Sequence, residues 1–291
     1  METVAIVGVG LIGGSFALGL RQAGFQGRIL GVSSARTLQT AQKLGVIDQG
    51  LSLEDAVPAA DLVYLANPIY RILEALPRVA ALAKPGALVT DAGSTKETIV
   101  AQAAQVFHSS AVFLGGHPMA GKAERGAEAA DPALFQGAKY VLTPPGGVLP
   151  DTPLVQEFCA WLDKLGAITV ILSPEDHDRI VAFTSHLPQL ASTALASLVL
   201  ETVGPQDRQI AGGGLRDMTR LARSAYDLWR DICLTNATNI DRALSLYIQK
   251  LEHLRQNLRE RQLETEFEQG AVLANDLHTS RPRHAPALEP R

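Results

Sequence analysis

The sequence predicts an α/β fold, with an N-terminal doubly wound, mostly parallel sheet followed by an all-helical C-terminal domain. Three observations carry that expectation. Short apolar runs alternate with stretches of helical periodicity up to about residue 172. A glycine-rich turn, Gly8-Val9-Gly10-Leu11-Ile12-Gly13, follows the first apolar run. The alternation then stops at Ser173-Pro174, and no convincing strand follows. The predicted boundaries are a sheet domain over 1–172, a helical domain over 173–265 and a disordered tail over 266–291.

Val4 to Val7 is rich in β-branched residues and suits a buried strand. Gly8, Gly10 and Gly13 then form G-x-G-x-x-G, and Phe16, Leu18 and Leu20 sit among Ala and Gly as on a helix packed against a sheet. Each glycine has a reason: Gly8 for a tight turn, Gly10 for close approach of a pyrophosphate, Gly13 for helix–strand packing. The helix N-terminus, with Leu11 and Ile12, offers free N–H groups to phosphates. Strand, motif and helix together point to a Rossmann-type dinucleotide site.

Gly27 to Val32 reads as the second strand. An acid at the end of this strand would accept the ribose hydroxyls of NAD. Here Ser33-Ser34-Ala35-Arg36 follows, and small hydroxyls with a guanidinium suit the 2′-phosphate of NADP. NADP is therefore expected, with NAD possible. The competing reading makes Ser33 or Ser34 a helix N-cap and Arg36 a solvated residue. Ala60 to Leu65 is another buried strand, and Asn67 and Pro68 at its end should lie over the cofactor. Gly86 to Asp91 is a further strand, opening into Ala92-Gly93-Ser94-Thr95-Lys96. Ser94 could serve chemistry, or could cap a helix from Thr95 with Glu97 completing a capping box.

Val112-Phe113-Leu114 leads into Gly115-Gly116-His117-Pro118-Met119-Ala120-Gly121. His117, between glycine and proline on an expected strand-end loop, is a binding or catalytic candidate. A strand over 140–143, a helix over 154–165 and a last strand over 167–172 complete the sheet domain. Ser173, Pro174 and Asp176 then read as N-cap, N1 proline and capping acid. Ala191 to Val203 is so apolar that this helix is expected to be buried on most sides. His177, between Asp176 and Asp178, reads as a solvated first-turn residue.

Composition narrows the function classes. The chain has 291 residues, 46% of them hydrophobic, and a net charge of -4. It has no basic block of the kind nucleic acid demands. No apolar run approaches the roughly 20 residues of a membrane span. Cys159 and Cys233 make no disulfide framework and read as reduced thiols of a cytoplasmic protein, an expectation shared by the absence of a secretory signal before Val4.

Together these segments resemble the prephenate/arogenate dehydrogenase family of tyrosine biosynthesis. The carriers are Gly8 to Ser15, Asp91 to Lys96, Gly116 to Gly121, Ser185-His186-Leu187-Pro188-Gln189, Leu215 to Arg220 and Trp229 to Ile232, in the family's order. The end of the second strand is similar to that of NADP-using arogenate dehydrogenases. The resemblance implies oxidative decarboxylation of a cyclohexadienyl acid, arogenate or prephenate. It implies His117 as the base that takes the C4 hydroxyl proton, with Ser94 hydrogen-bonded to His117 or to that hydroxyl. It implies His186 orienting the substrate, Arg216 gripping a substrate carboxylate, and a homodimer formed through the helical domain. Bland alternatives stay open: Arg216 in a surface cluster with Asp217 and Arg220, and His186 merely packing. An ordinary histidine base would place the acid limb of activity at about pH 6–7. The sequence departs from the family in placing Lys122 and Ala123 before Glu124, at the side-chain end of the pocket where arogenate and prephenate differ. Two rival readings are a 3-hydroxyacid-type dehydrogenase and a non-catalytic NADP sensor.

Overall fold

A computed structural model describes residues 1–108, 111–122, 124–259 and 262–279. The N-terminal half alternates as expected. β1 (Thr3–Val7), α1 (Leu11–Gln22), β2 (Arg28–Val32), α2 (Ala35–Lys43), β3 (Gln49–Gly50), α3 (Leu53–Ala59) and β4 (Leu62–Leu65) come first. They are followed by α4 (Ile69–Leu82), β5 (Leu88–Asp91), α5 (Glu97–Val106), β6 (Val112–Pro118), β7 (Lys139–Thr143), α6 (Pro153–Lys164) and β8 (Ile168–Ile171). The two-residue β3 is a strand too short to carry any sequence period.

Among the described residues eight strands form one sheet, in the order β3-β2-β1-β4-β5-β6-β7-β8. All neighbours pair in parallel except β6 and β7, which are antiparallel. The chain leaves β1 in one direction through β2 and β3, and returns on the other side through β4. The gap between the carboxyl ends of β1 and β4 is thus the switch point at which such sheets bind ligands. The core beneath is apolar: Phe16 of α1 stacks on Tyr64 of β4, centroids 4.1 Å apart, and both are fully buried.

From Pro174 the chain is helical. α7 (Pro174–Val181) runs through one π turn (Ala182–His186) into α8 (Leu187–Thr202), then α9 (Gly213–Thr219), α10 (Tyr226–Thr235), α11 (Ala237–Asn257) and α12 (Glu264–Thr279). Ser173 caps α7 as the sequence predicts, accepting from Asp176 N at 3.0 Å. The described residues divide into two compact units, which part after Ile240. Within the first, Tyr70 N donates to Asp231 of α10 at 3.2 Å, and the Thr95 and Thr235 hydroxyls meet at 2.7 Å.

Three expectations are corrected. α8 is not buried: Leu198 and Leu200 are 55% and 63% exposed, and within the helix only Gln189 and Ser192 are buried. The tail is not structureless over 266–279, which lies in α12. Ala271, Leu273, Ala274 and Leu277 favour helix there, and the prolines that suggested disorder come later. The remainder of that tail, 280–291, lies outside the described residues. Third, β6 does not end at Leu114. It continues through Pro118, so His117 sits in a strand opposite Val141 of β7. Gly115 and Gly116 make this possible, because a Cβ on Gly116 would stand 2.6 Å from Asp91 O.

Candidate active site

A cavity of about 400 Å³ opens at the switch point. Gly10, Leu11 and Ile12 line it from the glycine turn, Asn67 and Pro68 from the end of β4, Ser94 from the end of β5, and His117 from β6. Lys122, Glu124 and Arg125 come from the following loop, and Asp227, Leu228 and Asp231 from α10. Seven positions singled out in the sequence therefore share one cavity.

The glycine turn has the form a dinucleotide needs. Gly8 has φ +100°, a left-handed conformation that other residues adopt only under strain. A Cβ there would also stand 2.5 Å from Asn67 Oδ1. A Cβ on Gly13 would collide with the Gly8 carbonyl and with Ile6, so this glycine serves packing. Over Gly10 nothing lies within 4 Å of a Cβ position, which leaves the backbone open to a pyrophosphate. Gly10 is the N-cap of α1 and brings no side-chain cap, so the first N–H groups of the helix remain available. These features fit a nicotinamide dinucleotide. Gly8 N donates to Val32 O at 2.9 Å, which sets the end of β2 beside the turn. Ser33, Ser34 and Arg36 follow there, all exposed and outside the cavity lining. Ser34 does cap α2, accepting from Thr37 N at 3.3 Å. Arg36, on the first turn of α2, pairs with no acid among the described residues.

His117 is 8% exposed and its Nδ1 lies 2.8 Å from Nε2 of His177. His177 Nδ1 in turn lies 2.7 Å from Oδ1 of Asp178. His177 and Asp178 are both fully buried, so the expectation of a solvated His177 is corrected. The spacing that suggested it, acids on either side of a histidine in a first turn, says nothing about which turn face meets the sheet. Asp178 also accepts from the backbone N–H groups of Lys96 at 2.7 Å and Glu97 at 3.0 Å. It is therefore the N-terminal cap of α5, supplied from another helix. The local capping box from Ser94 does not form: α5 begins at Glu97 with no side-chain cap of its own. Ser94 instead lines the cavity, half-buried, and makes no hydrogen bond to His117.

Burial holds the His117 imidazole well below the ordinary histidine range, and the neighbouring His177, Lys96 and His186 push the same way. The ring is thus neutral throughout the neutral pH range. Lys96 is also fully buried; its ammonium pairs with Asp91 and donates to Gly116 O at 2.7 Å. Asp91 accepts in addition from Gly93 N at 2.8 Å and Gly116 N at 3.1 Å. This buried pair stitches β5 to the part of β6 that carries His117.

The other two candidates lie apart from the cavity lining. His186 is 1% exposed, its ring edge-on to Trp229 at 5.8 Å, with Nδ1 accepting from Asn236 at 3.2 Å. Burial depresses its pKa to about 4. Arg216 is exposed on α9 and forms no ion pair with Asp217 or any other described acid. The surface cluster considered for it is absent among the described residues. Of the residues to which the sequence gave no functional role, His177, Asp178 and Asn236 adjoin the histidines, and Arg125 and Asp227 line the cavity. Their signal was chemical type alone, with no local motif to mark them.

Comparison with known proteins bears on this geometry. The family model described as "Prephenate dehydrogenase, nucleotide-binding domain" matches residues 16–171, and "Prephenate dehydrogenase, dimerization domain" matches 173–270. A prephenate dehydrogenase of Lactococcus lactis subsp. cremoris is 36% identical over 264 residues, 89% of this chain and 70% of that protein. The crystal structure of prephenate dehydrogenase from A. aeolicus with hydroxyphenyl propionate and NAD+ is similar at TM-score 0.87 and 32% identity, covering 95% of this chain and 98% of that one. That of Synechocystis arogenate dehydrogenase is similar at TM-score 0.78 and 30% identity, covering 95% and 98%.

Proposed function

Because the chain belongs to the prephenate dehydrogenase family, we propose that its cavity carries out the NADP-dependent oxidative decarboxylation of a cyclohexadienyl acid, arogenate or prephenate, with His117 as base. The enzyme class follows from the family, which sets aside the 3-hydroxyacid and sensor alternatives. One observation carries the rest: a neutral, buried imidazole stands in the same cavity as an open dinucleotide turn.

The residues have separable tasks. Gly10, Leu11 and Ile12 receive the pyrophosphate, and Asn67 and Pro68 wall the nicotinamide side. The nicotinamide, when bound, supplies the acceptor for the hydride leaving C4 of the substrate. His117 takes the proton of the C4 hydroxyl as that carbon is oxidised. The ring carboxylate then departs as CO2, driven by aromatisation. Ser94, which lines the same cavity, hydrogen-bonds the same hydroxyl. Arg216, which pairs with no acid among the described residues, is assigned the substrate carboxylate. His186 acts from the helical segment through the Asn236 network. Ser33, Ser34 and Arg36 favour NADP, since they meet a 2′-phosphate without an opposing carboxylate. We further assign a homodimer paired through the helical region. Its support is the dimerization-domain match and the exposed leucines of α8.

The test is turnover with each of prephenate and arogenate, with NAD and with NADP, followed as reduced-nicotinamide absorbance. Turnover of at least one substrate, with a lower KM for NADP than for NAD, is expected. No turnover of either substrate would refute the assignment.

A further inference from the structure

We propose that His177 and Asp178 are positioning residues which hold His117 in its Nδ1–H tautomer, leaving Nε2 as the nitrogen that takes the proton. The inference rests on the reading of His117 as base and adds to it which ring nitrogen acts and what selects it.

The argument is one of donors and acceptors. An ionised carboxylate only accepts hydrogen bonds. Asp178 Oδ1 is 2.7 Å from His177 Nδ1, so that nitrogen carries the hydrogen. In neutral His177 the other nitrogen, Nε2, is then a lone-pair acceptor. His117 Nδ1 is 2.8 Å away and must be the donor. A neutral imidazole has one hydrogen to place, and placing it on Nδ1 frees Nε2.

Two conditions hold this sequence in one direction. His177 must stay neutral, because a doubly protonated ring would donate to His117 and reverse the assignment. It is fully buried beside the Lys96 ammonium, and its pKa is lowered. The groups that face the two rings are Lys96 and Asp91 from the sheet side, and His186 and Asp178 from the helical side. Asp178 must also be unable to turn away. Its oxygens are engaged by Lys96 N and Glu97 N, and its carbonyl accepts from Asn236 at 2.8 Å. The cap of α5 and the orientation of the base thus depend on one carboxylate. Free imidazole side chains in water favour the Nε2–H form, so this network selects the less populated tautomer.

The test uses the full chain labelled with 15N-histidine. Two-bond 15N–1H correlation spectra report which ring nitrogen carries the hydrogen, and His117→Asn identifies the His117 signal among the seven histidines. The wild-type protein is expected to show His117 protonated at Nδ1. His177→Leu removes the acceptor; its kcat should fall about ten- to hundredfold, as when a group orienting a reactive histidine is lost. Substrate KM and nucleotide affinity should stay within about twofold, because His177 does not line the cavity. His177→Gln puts a carbonyl oxygen in the place of Nε2 and should restore most of kcat. An Nε2–H signal for His117 in the wild type would overturn the proposal, and so would a folded His177→Leu with unchanged kcat. If His177→Leu does not fold, the wild-type tautomer alone decides. Retained turnover in His117→Asn would instead refute the base assignment itself.

Discussion

A histidine can act as a base at neutral pH only if it is neutral and keeps one nitrogen free, and His117 meets the first condition through burial. General-base assistance is worth about 10²–10⁴-fold. His117→Asn should therefore lose at least about a hundredfold in kcat and keep nucleotide binding, measured by titration of the reduced cofactor. In the wild type the acid limb of the pH–rate profile should lie below the ordinary histidine range, since the depressed pKa keeps the base free to lower pH. That replaces the value of about pH 6–7 expected for an exposed imidazole. Arg36 is the second residue whose role is open to direct measurement. Arg36→Ala should weaken NADP more than NAD, by about 1–3 kcal/mol for a lost charge-assisted contact. Equal losses for the two cofactors, by fluorescence titration, would show that this guanidinium never meets the 2′-phosphate.

Between elements, the decisive contacts are ionic and buried. Lys96 and Asp91 join the loop after β5 to the middle of β6, and both are fully buried. Burial lowers the Lys96 pKa, against the attraction of Asp91 and Asp178, which raises it. Such a pair is weak evidence of net stabilisation, but removing one partner strands the other charge. Lys96→Met should destabilise the protein by about 3–5 kcal/mol, read as a shift of the urea midpoint. Adding Asp91→Asn to that variant should recover much of the loss. No recovery would mean that Lys96 acts through its packing and its bond to Gly116 O rather than through charge. The capping of α5 follows the same pattern. Ser94 and Glu97 have the spacing of a capping box, yet Asp178 occupies both backbone donors and Ser94 is released to the cavity.

Across the molecule, three buried histidines couple stability to pH. The pKa values of His117, His177 and His186 are all lowered by burial, His186 to about 4. In the unfolded chain each titrates near 6.5, so the unfolded state binds more protons as the pH falls below that value. Their contribution is complete above pH 6.5 and is lost progressively on acidification. Each histidine accounts for up to about 1.4 kcal/mol per pH unit. Urea unfolding between pH 7.5 and 5 should show stability falling with pH, before carboxylates titrate. A flat dependence over that window would mean that these rings are not buried neutral in solution. The exposed leucines of α8 belong to the same scale. A dimer is expected by light scattering at micromolar concentration, and a monomer there would leave that apolar face uncovered and refute the assignment.

The sequence alone determined the parts whose physics is local. The period of the strands and helices, the glycine turn between β1 and α1, and the Ser173 cap of α7 depend on neighbours a few residues apart. So the fold class, the switch point and the cavity residues on strand ends were legible. The helix over 264–279 and the length of β6 were not, because propensity and pairing overrode the nearest prolines and glycines. Which residues meet across long separations was decided only by the tertiary structure. His177 lies 60 residues from His117, and Asp178 lies 82 from Lys96. A histidine flanked by two acids reads locally as a solvated turn. Packing α7 against the end of the sheet removes its water and leaves one acceptor for His177 and one donor for His117.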